Sequence, residues 1–235
     1  MKAMILAAGK GERMRPLTLT TPKPLLSAGG KPLIEHHLER LKQAGFRDVV
    51  INHAWLGEQI EYTLGNGERF GLSLHYSREG QPLETAGGIV RALPLLASPD
   101  TDWFMVINGD IWSDFDLARL QPPIPGKHPS VDALLVMTDN PPHHRKGDFC
   151  LNDNGLLYEE CAGKEGEKLT FAGISLLHRR LFDGLTDGAG KLAPVLRAAM
   201  AKGRAAGIHH PGHWIDVGTP ERLRKLDQQL AVREP

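Results

Sequence analysis

The feature that most constrains this chain is the point at which its first apolar run stops. Met1 to Leu6 has the make-up of a buried central strand, and it passes through Ala7 and Ala8 straight into Gly9-Lys10-Gly11. The next segments repeat the alternation. Leu33, Ile34, His37, Leu38, Leu41 and Ala44 recur at helix spacing up to Gly45, and Val49-Val50-Ile51 reads as a buried strand. Trp55 to Leu64 then reads as a helix stopped by Gly65-Asn66-Gly67, and Leu72 to Tyr76 as a strand. Such βαβαβ order predicts a parallel sheet with helices on both faces, with ligands bound beyond the carboxyl ends of the strands. The glycine loop lies at one of those ends.

The loop is suited to an anion. Gly9 and Gly11 carry no side chains, so backbone N–H groups can approach a ligand closely. Lys10, Arg13 and Arg15 stand beside them, and Lys23 lies between Pro22 and Pro24. Arginine offers a fork of donors for bridging phosphate oxygens and lysine a compact point charge, so the set suits a polyphosphate. Against this, a lone G-x-G is common, and Lys23 reads equally as a solvated lysine in a turn. A Walker A loop is excluded because no Gly-Lys-Ser/Thr follows at the required spacing.

Composition narrows the partners. With 235 residues, 41% hydrophobic, the chain can bury a full core, and one domain is expected. Formal net charge is zero, so any anion site is local, and neither nucleic acid nor an anionic membrane is indicated. Cys150 and Cys161 have neither the number nor the spacing of a disulfide framework or zinc site; they read as structural thiols in a reducing cytoplasm. No signal-peptide pattern opens the chain and no apolar run approaches the ~20 residues of a membrane span, so a cytoplasmic protein is expected.

Further along, Gln81-Pro82-Leu83-Glu84-Thr85-Ala86-Gly87-Gly88 leads into a helix expected over Ile89 to Leu96. Thr85 or Glu84 reads as a helix cap, while the Gln81 amide also matches the donor-acceptor edge of uracil or thymine. Trp103 to Ile107 is a buried strand ending in Asn108-Gly109-Asp110. Asp110 thus stands at the sheet's carboxyl edge, where a carboxylate together with substrate phosphates can hold Mg²⁺; Asp114 and Asp116 read as caps. Gln121 to Pro129 is Pro-rich and irregular, Val131 to Met137 a strand, and Asp139 to Lys146 a mobile surface loop. A hairpin turns at Asn152-Asp153-Asn154-Gly155 between strands expected over Gly147 to Leu151 and Leu156 to Glu160. Leu192 to Ala201 reads as a helix, Ile208 to His210 as a short strand, and Thr219-Pro220 starts a terminal helix over Glu221 to Ala231. His36, His37, His53 and His75 read as framework, since none has a partner at metal spacing.

Leu6-Ala7-Ala8-Gly9-x-Gly11-x-Arg13, Pro22-Lys23-Pro24-Leu25-Leu26, Gly109-Asp110 and Trp214-x-Asp216-x-Gly218-Thr219-Pro220 occur in order, and together they resemble the sugar-1-phosphate nucleotidylyltransferases over nearly the whole chain. That resemblance implies a three-layer α/β/α Rossmann-like, GT-A-like fold on a mostly parallel mixed sheet. It implies one domain over 1–235, with a nucleotide half (1–120) and a half for the sugar and C-terminal helix (121–235). The activity implied is Mg²⁺-dependent transfer of a nucleoside monophosphate to a sugar 1-phosphate, with release of pyrophosphate. Arg13 and Lys23 take the catalytic roles, the first at the leaving pyrophosphate and the second at the reacting phosphates. Ala8, Gly9, Gly11, Arg13, Gln81, Gly87 and Asp110 are implied nucleotide contacts. Asn108, Gly147, Glu160 and Gly173 are implied sugar contacts, and Asp110 with Asp216 the metal ligands.

The hexose region departs from the family pattern. Glu159-Glu160 is followed by Cys161-Ala162-Gly163 where relatives carry Lys-Pro, which argues against plain glucose. With Thr170-Phe171-Ala172-Gly173-Ile174-Ser175, and with no acetyltransferase domain expected after the last helix, the chain most resembles members using UTP and N-acetylmuramic acid α-1-phosphate in peptidoglycan recycling. A glucose, mannose or heptose 1-phosphate substrate is the alternative. A non-catalytic nucleotide-sugar sensor is the alternative of another class, and a monomer or small homo-oligomer is expected.

Overall fold

The structure is a computed structural model that describes residues 1–123, 131–161 and 166–232. Its strands are β1 (Lys2–Leu6), β2 (Ser27–Ala28), β3 (Lys31–Pro32), β4 (Asp48–His53), β5 (Ser73–Arg78), β6 (Trp103–Asn108), β7 (Ile111–Ser113), β8 (Ala133–Thr138), β9 (Phe149–Leu151), β10 (Leu157–Tyr158), β11 (Glu167–His178), β12 (Ala205–His210) and β13 (Trp214–Asp216). The α-helices are α1 (Leu33–Gln43), α2 (Gly57–Leu64), α3 (Glu84–Leu96), α4 (Leu192–Ala201) and α5 (Pro220–Ala231).

The main sheet runs β10-β9-β11-β6-β1-β4-β5, with β8 joining β11 to β12. β6, β1, β4 and β5 are mutually parallel, as the βαβαβ order requires, whereas β11 is antiparallel to β6. The outcome is the expected α/β fold on a mixed sheet. Both faces of β1 are covered: Ala3 and Ile5 pack with Ile34, Leu38 and Leu41 of α1, while Met4 on the opposite face packs with Ile89 of α3. Period-two alternation therefore feeds two cores from one uninterrupted apolar strand, the pattern of a parallel strand buried on both sides. Burying a side chain such as Ile5 stabilises by about 1.5–3 kcal/mol relative to exposure.

A third cluster positions the site. Leu223 and Leu226 of α5 pack with Ile215, Val217, Met14, Leu26 and Leu33, so the C-terminal helix ties the Asp216 segment to the Arg13 and Lys23 segments. Thr219 caps α5 by accepting the Arg222 N–H, and Pro220 takes the first position, where a missing N–H costs nothing.

Four expectations change. The helix expected at Ile89 already begins at Glu84, and neither Glu84 nor Thr85 caps it by side chain; the Gly190 carbonyl accepts the Ala86 and Gly87 N–H groups instead. The motif residues Phe171 to Ile174 belong to a strand over Glu167–His178, and the strand expected from Ile208 begins at Ala205. Cys150 and Cys161, read as separate thiols, form a disulfide with Cα atoms 5.2 Å apart. The hairpin explains it: Cys150 pairs with Tyr158 across β9 and β10, which returns the chain to Cys161 at bonding range. The irregular segment expected up to Pro129 lies outside the described residues from 124, as do Ala162 and Gly163. Among the described residues no helix is long and apolar enough to cross a membrane.

Candidate active site

The ends of β1, β4 and β6 meet at a cleft of about 700 Å³. Its walls include Ala8, Gly9, Lys10, Gly11, Arg13, Lys23, Asn52, Gln81, Glu84, Asn108 and Asp110. A volume of that order fits a nucleotide-sized ligand. The glycine loop is held open by local bonding. Gly11 has φ +64°, a conformation that favours glycine, and its carbonyl accepts both the Met14 N–H at 2.8 Å and the Thr18 hydroxyl at 2.7 Å. Nothing stands within 4 Å of where a Gly9 side chain would begin, so that backbone faces free space. Arg13 is exposed on the wall and makes no hydrogen bond or ion pair with a described residue.

Lys23 is not the solvated lysine that its Pro-flanked turn allows. Only 9% exposed, it places Nζ 2.6 Å from Asp110 Oδ2. Asp110 and Asp216, distant in sequence, are brought together by a short antiparallel ladder. β13 pairs with β7, setting Asp216 opposite Ile111, and the Val217 N–H donates to the Asp110 carbonyl at 2.7 Å. Asp216 accepts from Arg222 Nη1 at 2.6 Å and lies 2.9 Å from His143 Nε2. His143 belongs to the segment read in sequence as a mobile surface loop. That segment is tied to β11, where the Asn140 amide donates to the Lys168 carbonyl at 2.7 Å.

Asp110 and Asp216 offer carboxylate oxygens to a metal ion. Asp110 lies in the turn between β6 and β7 and Asp216 ends β13; each carboxylate faces a cation, Asp110 but not Asp216 lines the cleft, and among the described residues no group of three His, Cys, Asp or Glu is placed to hold a metal ion. Two protein oxygens, with the remaining positions left to phosphate and water, are the donor set that magnesium uses in phosphoryl chemistry. In donor chemistry the two residues fit that ion.

Of the sugar-side residues, Asn108 and Gly173 meet: the Asn108 carboxamide fills the space a Cβ on Gly173 would need, 2.8 Å away, and Gly173 has φ +74°. Trp214 Nε1 donates to the Ala172 carbonyl at 2.8 Å, joining that point to β13. Three expected contacts, Gly87 on the nucleotide side and Glu160 and Gly147 on the sugar side, are placed elsewhere. Gly87 is buried away from the cleft, gives its N–H to Gly190, and has the Gly188 carbonyl 2.0 Å from its notional Cβ, so it is a packing glycine. Glu160 is exposed and ion-paired with Lys168 at 2.8 Å, outside the cleft lining. Gly147, with φ +62°, sits against Asn140 and the Leu169 carbonyl, also outside it.

Sequence reasoning missed Asn52 and Glu79. Glu79 is buried behind Gly88 and accepts from Asn52 Nδ2 at 2.6 Å and from the Leu83 N–H at 2.9 Å; Asn52 in turn accepts the Ala7 N–H at 2.9 Å. The available signal was a polar residue directly after the apolar run Val49-Val50-Ile51. Burial also acts on α1. His37 is held down to about 3, first because burial disfavours its charged form and then because of the Arg40 guanidinium.

A mixed sheet whose parallel strands end at a cleft shared by a cationic glycine loop, Lys23 and Asp110 defines a protein class. The chain belongs to the nucleotidyl transferase family, whose family model matches residues 2–155. It is 51% identical over 98% of both chains to the N-acetylmuramate α-1-phosphate uridylyltransferase of Neisseria meningitidis serogroup B. It is also 33% identical to the protein of that name from Caulobacter vibrioides, over 97% of this chain and 96% of that one. The mannose-1-phosphate guanylyltransferase of Mycobacterium tuberculosis is 31% identical over 93% of this chain and 61% of its own length. Among solved structures, Yersinia pseudotuberculosis HddC complexed with GMP-PN superposes with a TM-score of 0.76 at 20% identity, covering 97% of this chain and 98% of that one, a likeness of fold.

Proposed function

We propose that this chain transfers UMP from UTP to N-acetylmuramic acid α-1-phosphate, giving the UDP-sugar and pyrophosphate. The observation that carries the reaction class is the meeting in one cleft of the Gly9 to Arg13 loop, Lys23 and Asp110. The choice of sugar and of uridine rests on the 51% identity, over nearly the full length of both chains, to the Neisseria enzyme of that name.

The chemistry needs no side-chain nucleophile. A sugar phosphate oxygen, already ionised near neutral pH, attacks the α-phosphorus; the new O–P bond forms as the bond to the β-phosphate oxygen breaks, and pyrophosphate leaves with the bonding pair. Positioning and charge neutralisation suffice for such a transfer. Backbone N–H groups around Gly9 and Gly11 bind the phosphates, Arg13 offers a free guanidinium to the departing pyrophosphate, and Lys23 holds positive charge at the reacting end. Asp110 and Asp216 would hold Mg²⁺, which supplies neutralisation at the α-phosphate when bound. Gln81 meets the uracil edge, and Asn108 with Gly173 forms the wall toward the sugar.

The test is pyrophosphate release across a panel of sugar 1-phosphates and the four NTPs. N-acetylmuramic acid α-1-phosphate with UTP should be the best pair. A preference for a glucose, mannose or heptose 1-phosphate would overturn the sugar assignment, and UTP binding without any pyrophosphate release would indicate a sensor.

A further inference from the structure

Glu84 has φ +60°, a left-handed backbone that non-glycine residues seldom adopt. The conformation is imposed from both sides. On one, the Leu83 N–H donates to Glu79 at 2.9 Å and the Leu83 carbonyl accepts the Gly190 N–H at 2.9 Å; on the other, the Ala86 N–H donates to the Gly190 carbonyl at 2.8 Å. Strain that its surroundings hold in place at a cavity wall is a pointer to function.

The side chain shows which function. Glu84 is exposed, lines the cleft beside Gln81, Pro82 and Thr85, and makes no hydrogen bond or ion pair with a described residue. A helix-dipole role alone does not account for it, because an acidic residue in the first turn gains that small, screened benefit without a left-handed backbone. A phosphate contact is excluded by charge, since a carboxylate repels phosphate. Two N–H groups of the first turn of α3, those of Ala86 and Gly87, are also taken by the Gly190 carbonyl. An ionised carboxylate accepts only, and its two oxygens match two neighbouring hydroxyl donors. In a nucleotide, the neutral portion with such a pair is the ribose, which lies between the base and the phosphates.

We propose that the Glu84 carboxylate accepts the ribose hydroxyls of the bound nucleotide and makes the cleft select ribonucleotides over 2′-deoxyribonucleotides. This rests on the reading of the cleft as an NTP site. Hydrogen bonds to a charged acceptor set the expected discrimination at roughly tenfold to a hundredfold.

The test is calorimetric binding of UTP and of 2′-deoxy-UTP, without sugar, to the wild type, E84Q and E84G, with thermal melting of each. The wild type should bind UTP more tightly by that factor. E84G should lower UTP affinity to that of 2′-deoxy-UTP, leave the deoxy ligand nearly unchanged, and melt no lower than the wild type, because glycine adopts φ +60° freely. E84Q should fall between them. An unchanged UTP to 2′-deoxy-UTP ratio in E84G, or an equal loss for both ligands, would overturn the ribose contact while leaving the nucleotide reading intact. A wild type that binds neither ligand would instead overturn the nucleotide reading, and the ribose contact with it.

Discussion

Asn52 Nδ2 donates a 2.6 Å hydrogen bond to Glu79 Oε1, and through it the base-side segment is tied to the glycine loop. Both residues are buried, at 2% and 5% exposure, and the Asn52 carbonyl oxygen holds the Ala7 N–H. Asn52→Ala strands a buried carboxylate oxygen and a backbone donor together. The expected cost is about 2–3 kcal/mol, a melting temperature lower by roughly 5–10 °C. KM for the NTP should rise more than KM for the sugar 1-phosphate, and steady-state kinetics with each substrate varied in turn will read the difference.

Asp110→Asn removes the carboxylate that faces Lys23 and the cleft. Turnover at saturating substrates should fall by at least about a hundredfold, the scale on which groups that stabilise developing charge act. Chelating magnesium from the wild type should have a comparable effect, reversed by adding it back. A fully active Asp110→Asn protein, measured by pyrophosphate release, would remove Asp110 from the reaction.

Gly173→Ala drives a Cβ into the Asn108 carboxamide at a residue with φ +74°. Displacement and backbone strain together should destabilise by about 1–3 kcal/mol, seen as a lower urea midpoint. Because Asn108 is the group displaced, KM for the sugar 1-phosphate is expected to rise while nucleotide affinity holds.

Glu61 gives a pH test away from the cleft. Arg78 donates to both of its oxygens and His53 lies 2.7 Å from one, and the Arg78 hydrogen bonds are the chief reason its carboxyl is lowered to about 2. Since the unfolded carboxyl ionises near 4.5, the pairing stabilises fully above that pH and fades as pH falls toward 2. The stability gap between wild type and Glu61→Gln in urea should therefore narrow steadily from pH 5 to pH 3. A gap that widened in acid would contradict the assignment.

Elements governed by local pattern could be read before any fold was known. The apolar run to Leu6, the helix spacing of α1 and the Thr219-Pro220 start of α5 each depend on neighbours a few residues away, and each forms where expected. The start of α3 was misplaced because its cap is the Gly190 carbonyl, about a hundred residues downstream, and the disulfide escaped because only the β9–β10 pairing brings the two cysteines together.

The site divides in the same way. By itself the sequence determined the chemical types, a glycine loop with cations and two acidic motifs, because residue identity and order settle what charges and donors are available. Only the tertiary structure decided what each group faces. It buried Lys23 against Asp110, joined Asp216 to Asp110 through the β7–β13 ladder, turned Gly87 and Glu160 away from the cleft, and placed Asn52, Glu79 and Glu84 at or behind its wall. The physical reason is range: composition and periodicity encode contacts along one element, whereas a cleft at strand ends is made by groups whose neighbours come from distant parts of the chain.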